Sequence, residues 1–113
     1  MNWTTYTDED GLPAKIGSDG GAVLADEEHG WGARITLEQP GVMAAFGITC
    51  GIYGWMVHTR AFTNIGDAQS GYEAMKTDLD IIMEMIPARS DPEVERKMDA
   101  VTVAISAFVD KFP

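Results

Sequence analysis

The residues best suited to chemistry lie in the middle of the chain, where His58 and Arg60 stand two positions apart. In an extended strand this spacing places both side chains on the same face. A histidine beside a guanidinium can hold a carboxylate or phosphate group through charged hydrogen bonds. A nearby aromatic ring would wall such a pocket, and a hydroxyl on the neighbouring strand would line it. We therefore predict a ligand-binding patch made of His58, Arg60, Trp55 and Thr49.

The location of this patch depends on how two predicted central strands, residues 43–52 and 55–62, pair with each other. A two-residue turn at residues 53–54 would set Cys50 opposite Val57 on a largely apolar face. A slip of one residue would exchange the two faces, because successive side chains of a strand point to opposite sides.

In this predicted register His58 points to the other face, beside Gly47, Thr49 and Gly51. Glycine has no side chain, so we expect a concave surface there. Cys50 would lie on the apolar face, out of reach of the histidine, so a thiol nucleophile with its base is not expected. A lone cysteine in an apolar strand is typical of a small core residue.

A purely structural interpretation of the patch stands beside the first one. Arg60 would pair with an acid of the helices or of the amino-terminal third, and His58 would bind a backbone carbonyl. Under this interpretation the hairpin holds no ligand.

Other motifs that carry chemistry are absent or incomplete. The acidic loops at residues 8–11 and 19–21 lack the ligand spacing of a calcium loop, and residues 26–29 have no second cluster to complete a metal site. The sequence contains neither a phosphate-binding glycine loop nor a nucleophile elbow. It therefore predicts no catalytic residue, no metal site and no cofactor, and it leans away from an enzyme without excluding one.

The charge of the chain limits its partners. Its 113 residues carry 18 acidic and 8 basic side chains, for a net charge of −10. This charge repels nucleic-acid phosphates and anionic membranes, so neither is an expected partner. Residues 34–63 are nearly neutral, whereas both flanking thirds are acidic. The opening residues lack a signal-peptide pattern and the single cysteine excludes an internal disulfide, so we expect a cytoplasmic protein.

The pattern of the chain changes near residue 64, from alternating and glycine-rich to helical. We predict one α+β domain over residues 1–113, rich in strands and loops over 1–63 and helical over 64–113. The expected architecture is an antiparallel β-meander of three or four strands followed by two C-terminal helices packed on one face of the sheet. Besides the central hairpin, strands are predicted at residues 2–7, 22–26 and 33–38, with a turn at residues 27–32.

Both predicted helices carry signals at their ends. Asn64 can cap the first helix, and Pro87 follows its last apolar position. Ser90 can cap the second, with Pro92 in the first turn and Glu93 completing a capping box. The short link between them predicts two antiparallel helices.

Surplus apolar residues indicate what the protein does. Ile81, Met83 and Met85 extend the apolar surface of the first helix beyond one face, and the second helix carries several alanines near its apolar stripe. With no catalytic motif, this predicts a protein–protein interaction module that forms a homodimer. The acidity adds the hypothesis that it binds or inhibits a basic protein. The alternative is a small-molecule binding or catalytic domain that uses the patch around His58 and Arg60.

Overall fold

The computed structural model describes residues 2–17, 20–41 and 45–113 and shows a sheet followed by two helices. The strands are β1 (Trp3–Thr5), β2 (Val23–His29), β3 (Ala33–Glu38), β4 (Phe46–Ile52) and β5 (Met56–Phe62). The helices are α1 (Ile65–Met85) and α2 (Val94–Lys111). The predicted α+β class is confirmed, although the described part has five strands instead of three or four.

The sheet is an antiparallel meander in which the strands lie side by side in chain order. Helix α1 packs across β3, β4 and β5, and α2 packs beside α1. We call the side of the sheet under the helices the covered face and the other side the open face. The residues of β3 and β4 buried on the covered face are Ala33, Ile35, Leu37, Ile48, Cys50 and Ile52. Helix α1 contributes Ala68, Tyr72, Met75, Leu79, Ile82 and Met83 to the same core.

Strand β2 extends to His29, so the turn predicted at residues 27–32 is wrong over its first half. Its charged sequence resembles a turn, but two of its polar side chains find partners on α1. Glu27 accepts hydrogen bonds of 2.9 and 3.0 Å from the buried ammonium group of Lys76. His29 lies 2.7 Å from a carboxylate oxygen of Asp80. Because a buried charge is tolerated when it is paired and hydrogen-bonded, these partners allow the strand to continue inside the fold.

The helix ends agree with the sequence in one case and differ in the other. The Asn64 side chain accepts a 2.8 Å hydrogen bond from the backbone N–H of Asp67, which confirms the predicted cap of α1. The predicted capping box at Ser90 is wrong. Helix α2 begins later, after Glu93, whose side chain pairs with Arg96 instead of reaching back to a cap.

The register of the central hairpin differs from the prediction by one residue. Ile52 pairs with Met56, and Cys50 pairs with His58, so three residues rather than two connect the strands. The covered face of β5 therefore carries His58 and Arg60, and its open face carries Val57, which the predicted register places with Cys50 on the largely apolar face. The start of the predicted strand at residues 43–44 lies outside the described residues.

The apolar surplus of α1 is only partly buried within the chain. Met83 is fully buried against the sheet, whereas Ile81 remains more than half exposed. Met85 is half-buried and lines an apolar groove between the helices with Ala104 and Ala107.

The close packing of α1 on β5 depends on Gly71. A Cβ atom at this position would lie 2.6 Å from Cζ of Phe62 and 3.4 Å from a guanidinium nitrogen of Arg60. Gly66, one turn earlier in the same helix, has room, because its Cβ would meet only the Asn64 side chain at 3.5 Å.

We expect Gly71→Ala to lower the free energy of unfolding by about 1 kcal/mol. Overpacking costs about 1–3 kcal/mol, and the better helix propensity of alanine returns up to about 1 kcal/mol. Gly66→Ala is the matched control and should leave stability unchanged or slightly raised. Urea denaturation followed by circular dichroism measures both, and equal effects would show that α1 does not approach β5 this closely.

Candidate functional site

The structure places His58 and Arg60 together on the covered face, where both bind backbone carbonyls at the carboxyl end of the chain. His58 Nε2 donates to the carbonyl oxygen of Phe112, and Arg60 Nε donates to that of Pro113 over 3.3 Å. The structural interpretation is therefore observed for His58. Within the described part of the chain, Arg60 contacts a backbone oxygen of Pro113 rather than an acidic side chain. Ligand binding by these residues stays a prediction, and a ligand would have to displace these carbonyls.

Cys50 and His58 are cross-strand partners on the covered face, contrary to the predicted register. The cysteine is only 1% exposed, and burial raises the pKa of its thiol to about 12. The thiolate is the reactive form of cysteine, so the thiol is inert at neutral pH. The pair is adjacent without forming a nucleophile and base.

The other two predicted binding residues lie apart from these. Thr49 is on the open face, so the sheet itself separates its side chain from His58 and Arg60. Trp55 lies in the turn before β5 and packs, half-buried, against the core. The structure therefore does not assemble the four predicted residues into one patch.

A concave surface is nevertheless present beside Thr49 and Gly51, as the small side chains predicted. It is a cavity of about 300 Å³ on the open face, and its basic residue is Arg34 of β3 rather than Arg60. In this register Arg34 lies opposite Gly51, and Thr36 lies opposite Thr49. The apolar walls of the cavity are Ala14, Ile16, Val23 and Val57.

Arg34 is held in a fixed orientation by two neighbours. Its Nε and Nη2 donate to the two carboxylate oxygens of Asp26 over 3.0 and 2.7 Å. Its guanidinium carbon lies 3.5 Å from the centre of the Tyr6 ring. The hydrogen bonds that Arg34 donates to Asp26 raise the pKa of Arg34, which stays charged. Because Asp26 occupies only one edge of the guanidinium, other N–H donors remain for a ligand.

Gly17 and Glu38 also line the cavity. Glu38 is 2% exposed and lies beneath Gly17. A Cβ atom at position 17 would stand 1.5 Å from a Glu38 carboxylate oxygen, so only glycine allows this approach. The close approach of Gly17 to Glu38 therefore forms part of the cavity wall.

A second surface lies at the end of the sheet where the β2–β3 and β4–β5 turns meet. The backbone N–H of Tyr53 donates to the carbonyl of Gly32 over 2.9 Å and joins the two turns. Three large side chains are exposed here: Trp31 by 69%, Tyr53 by 92% and Val57 by 81%. We call these three residues the hairpin-end surface. Exposed aromatic residues of this size are typical of protein interfaces.

The His29–Asp80 pair fixes one of these turns. The Nδ1 atom of His29 accepts from the backbone N–H of Trp31 over 3.3 Å, which leaves Nε2 as the donor to Asp80. Asn2 donates to the same carboxylate oxygen over 3.2 Å. These hydrogen bonds, from Asn2 and then from His29, hold the pKa of Asp80 below its usual value. Helix α1 thereby supports the turn that presents Trp31.

Sequence reasoning missed Arg34, Trp31 and the His29–Asp80 pair for a common reason. The charged residues at the end of β2 resemble a turn, so the strand was predicted to stop at residue 26. A strand that continues to His29 pairs Asp26 with Thr36, two residues after Arg34. It also places Trp31 at the tip of the β2–β3 hairpin. The alternating pattern of a strand is present at residues 27–29, but the charged residues there are also typical of a turn.

Comparison with family models, with curated proteins and with solved structures found no match to this chain. Within the described residues, no three metal-ligating side chains of the His, Cys, Asp or Glu type come together. The helices of that same part are too short or too polar to cross a membrane.

The lowered pKa of Asp80 predicts how its contribution to stability depends on pH. The contribution is complete above the unfolded-state pKa of about 3.9 and is lost as pH falls through the lower folded-state value. We expect Asp80→Asn to destabilise the protein at pH 7 and to have a smaller effect at pH 3. Urea midpoints at both pH values test this, with the exposed Asp99→Asn as control. A pH-independent effect of Asp80→Asn would contradict it.

Proposed function

We propose that this chain is a small acidic protein-interaction module of the cytoplasm, which binds a basic protein through the hairpin-end surface. The observation that carries the proposal is the joint exposure of Trp31, Tyr53 and Val57 at one end of the sheet. Large apolar side chains that cluster in water cost free energy, and these three lie together at one end of the sheet. A partner that covers them would recover it.

The charge around this surface supports a basic partner. Glu84 lines a cleft with Trp31, and Glu28 lines a depression with Tyr53 and Val57. Lysine and arginine side chains can lie over the faces of Trp31 and Tyr53 and pair with these carboxylates at the same time.

Most basic side chains of this chain are already paired with acids elsewhere, so they do not occupy the carboxylates around the hairpin-end surface. Within the described residues, five of the eight basic side chains form ion pairs with acids of the same chain. They are Arg34, Lys76, Arg96, Lys97 and Lys111. The remaining acids leave a strongly negative surface, which would steer a basic protein towards the module.

The first test is a pull-down from source-cell lysate with three baits: the native chain, Trp31→Ala/Tyr53→Ala and a control. We expect the native chain to recover one basic protein at low salt and to lose it at high salt, because the attraction is screened. The double variant should not recover it. The control, Met98→Ala/Val103→Ala, removes exposed apolar residues from α2 and should behave as the native chain.

Calorimetry with the recovered protein then gives the magnitude. We expect the double variant to bind at least about ten times more weakly, since truncation of an aromatic anchor commonly costs more than 1.4 kcal/mol. Recovery of the same protein by all three baits would place its binding elsewhere and overturn the role of the hairpin end.

The open-face cavity supports a second candidate function, binding of a small carboxylate with an apolar body. The clamped guanidinium of Arg34 offers a free edge for a carboxylate, and Ile16 and Val57 supply apolar walls on either side. This candidate is a small-molecule site like the predicted alternative function, but it is centred on Arg34 instead of Arg60.

This candidate predicts a ligand-dependent rise in melting temperature that depends on Arg34. A panel of short aliphatic and aromatic carboxylates is screened by thermal shift, and the shift of any hit should vanish in Arg34→Lys, which cannot present a planar fork. Arg60→Lys is the matched control, because it alters the arginine on the covered face. A hit that is lost with Arg60→Lys and kept with Arg34→Lys would favour the patch around His58 instead.

A further inference from the structure

The two edge strands of the sheet, β1 and β5, differ in how readily they could pair with a strand of another chain. Edge strand β1 has three residues, whereas β5 has seven and pairs with β4 without interruption along its whole length. Within the described residues, β5 has a strand neighbour on one side only. A row of backbone N–H and C=O groups therefore faces outwards along its other side.

Strand β5 lacks most of the features that usually protect such an edge, and its one charged side chain, Arg60, lies on the covered face. It contains no proline and no lysine, and its pairing with β4 has no bulge. The side chains on its open face are those of Val57, Thr59 and Ala61, which are all exposed and uncharged. Long, regular edges with an uncharged exposed face are the ones that pair with another chain.

The charge distribution favours a second copy of the same chain on this edge. Two copies, each with a net charge of −10, repel one another over most of their surface. Residues 39–66, which include the whole β4–β5 hairpin, contain no aspartate and no glutamate. Two copies that approach through β5 therefore bring together the stretch of chain that adds no negative charge.

We propose that β5 pairs antiparallel with β5 of a second copy, so that one continuous sheet runs through a symmetric homodimer. If all seven residues overlap, the two-fold axis passes through Thr59, which then faces Thr59 of the other copy. Val57 lies opposite Ala61 on the open face. His58 lies opposite Arg60 on the covered face, where each already donates to a carbonyl of its own chain.

This dimer is independent of the proposed function and compatible with it. An antiparallel pairing places the two hairpin-end surfaces at opposite ends of the shared sheet. Trp31 and Tyr53 of each copy therefore stay accessible to a partner, while Val57 lies beside Ala61 of the other copy. Failure of the dimer would therefore leave the hairpin-end proposal standing, and the converse also holds.

Disulfide cross-linking tests the arrangement residue by residue. Directly opposite residues of antiparallel strands have Cα atoms about 4.5–5.5 Å apart, within the range of a disulfide. We expect Thr59→Cys to form a covalent dimer under mild oxidation. Val57→Cys is the matched control: its two copies would lie four residues apart along the strand, about 13 Å, and should not cross-link. The native Cys50 is buried and should stay reduced.

Sedimentation equilibrium of reduced protein supplies the second measurement. The native chain should sediment as a dimer, and Thr59→Lys should sediment as a monomer, because it sets two like charges opposite each other. Circular dichroism verifies that each variant is folded. A native monomer overturns the proposal. A dimer that survives Thr59→Lys, or that cross-links through Val57→Cys but not Thr59→Cys, uses another surface or register and overturns it as well.

Discussion

The three-residue turn between β4 and β5 is the constraint on which the rest of the structure depends, because its length decides which side chains of the hairpin face the helices. With Cys50 opposite His58, the side chains of His58 and Arg60 lie under the carboxyl end of the chain and donate to its backbone oxygens. Val57 and Thr59 are turned to the open face. One residue fewer would place His58 in solvent and Val57 in the core. The cavity would then lose its Val57 wall, and the open face of β5 would no longer be uncharged.

A second condition for this architecture is the pairing of polar residues of β2 with α1. Burial raises the pKa of the Tyr72 hydroxyl, as does its hydrogen bond to Glu27, so it remains a donor beside Lys76. Such pairs add little net stability compared with apolar packing, but removing one partner commonly costs 3–5 kcal/mol. They fix the position of β2 relative to α1. Through His29 they also fix the turn that carries Trp31, so the exposed surface depends on buried contacts.

The sequence was sufficient for the features governed by local pattern. The strand of residues 33–38, the cap at Asn64 and the general succession of sheet and helices follow from periodicity and end signals. It was insufficient where a distant partner decides the outcome. The charges of β2 are compatible with a strand only once Lys76 and Asp80 are known to face them. Equally, the turn at Tyr53 has no strong two-residue signal. Its length is settled by which residues of the hairpin pack under the helices.

The concave surface at Thr49 and Gly51 depends both on local residue type and on the register of the strands. The small residues correctly predicted a depression, because the absence of side chains does not depend on register. The wrong register assigned it the wrong arginine, since Arg60 and Arg34 lie on opposite faces of the sheet. The acidic residues are also unevenly distributed. The β4–β5 hairpin, which forms one edge of the sheet, contains none of them, and all of them lie on the rest of the chain. A surface divided in this way favours two different contacts, self-association where acidic residues are absent and a basic partner where the acids and exposed rings meet.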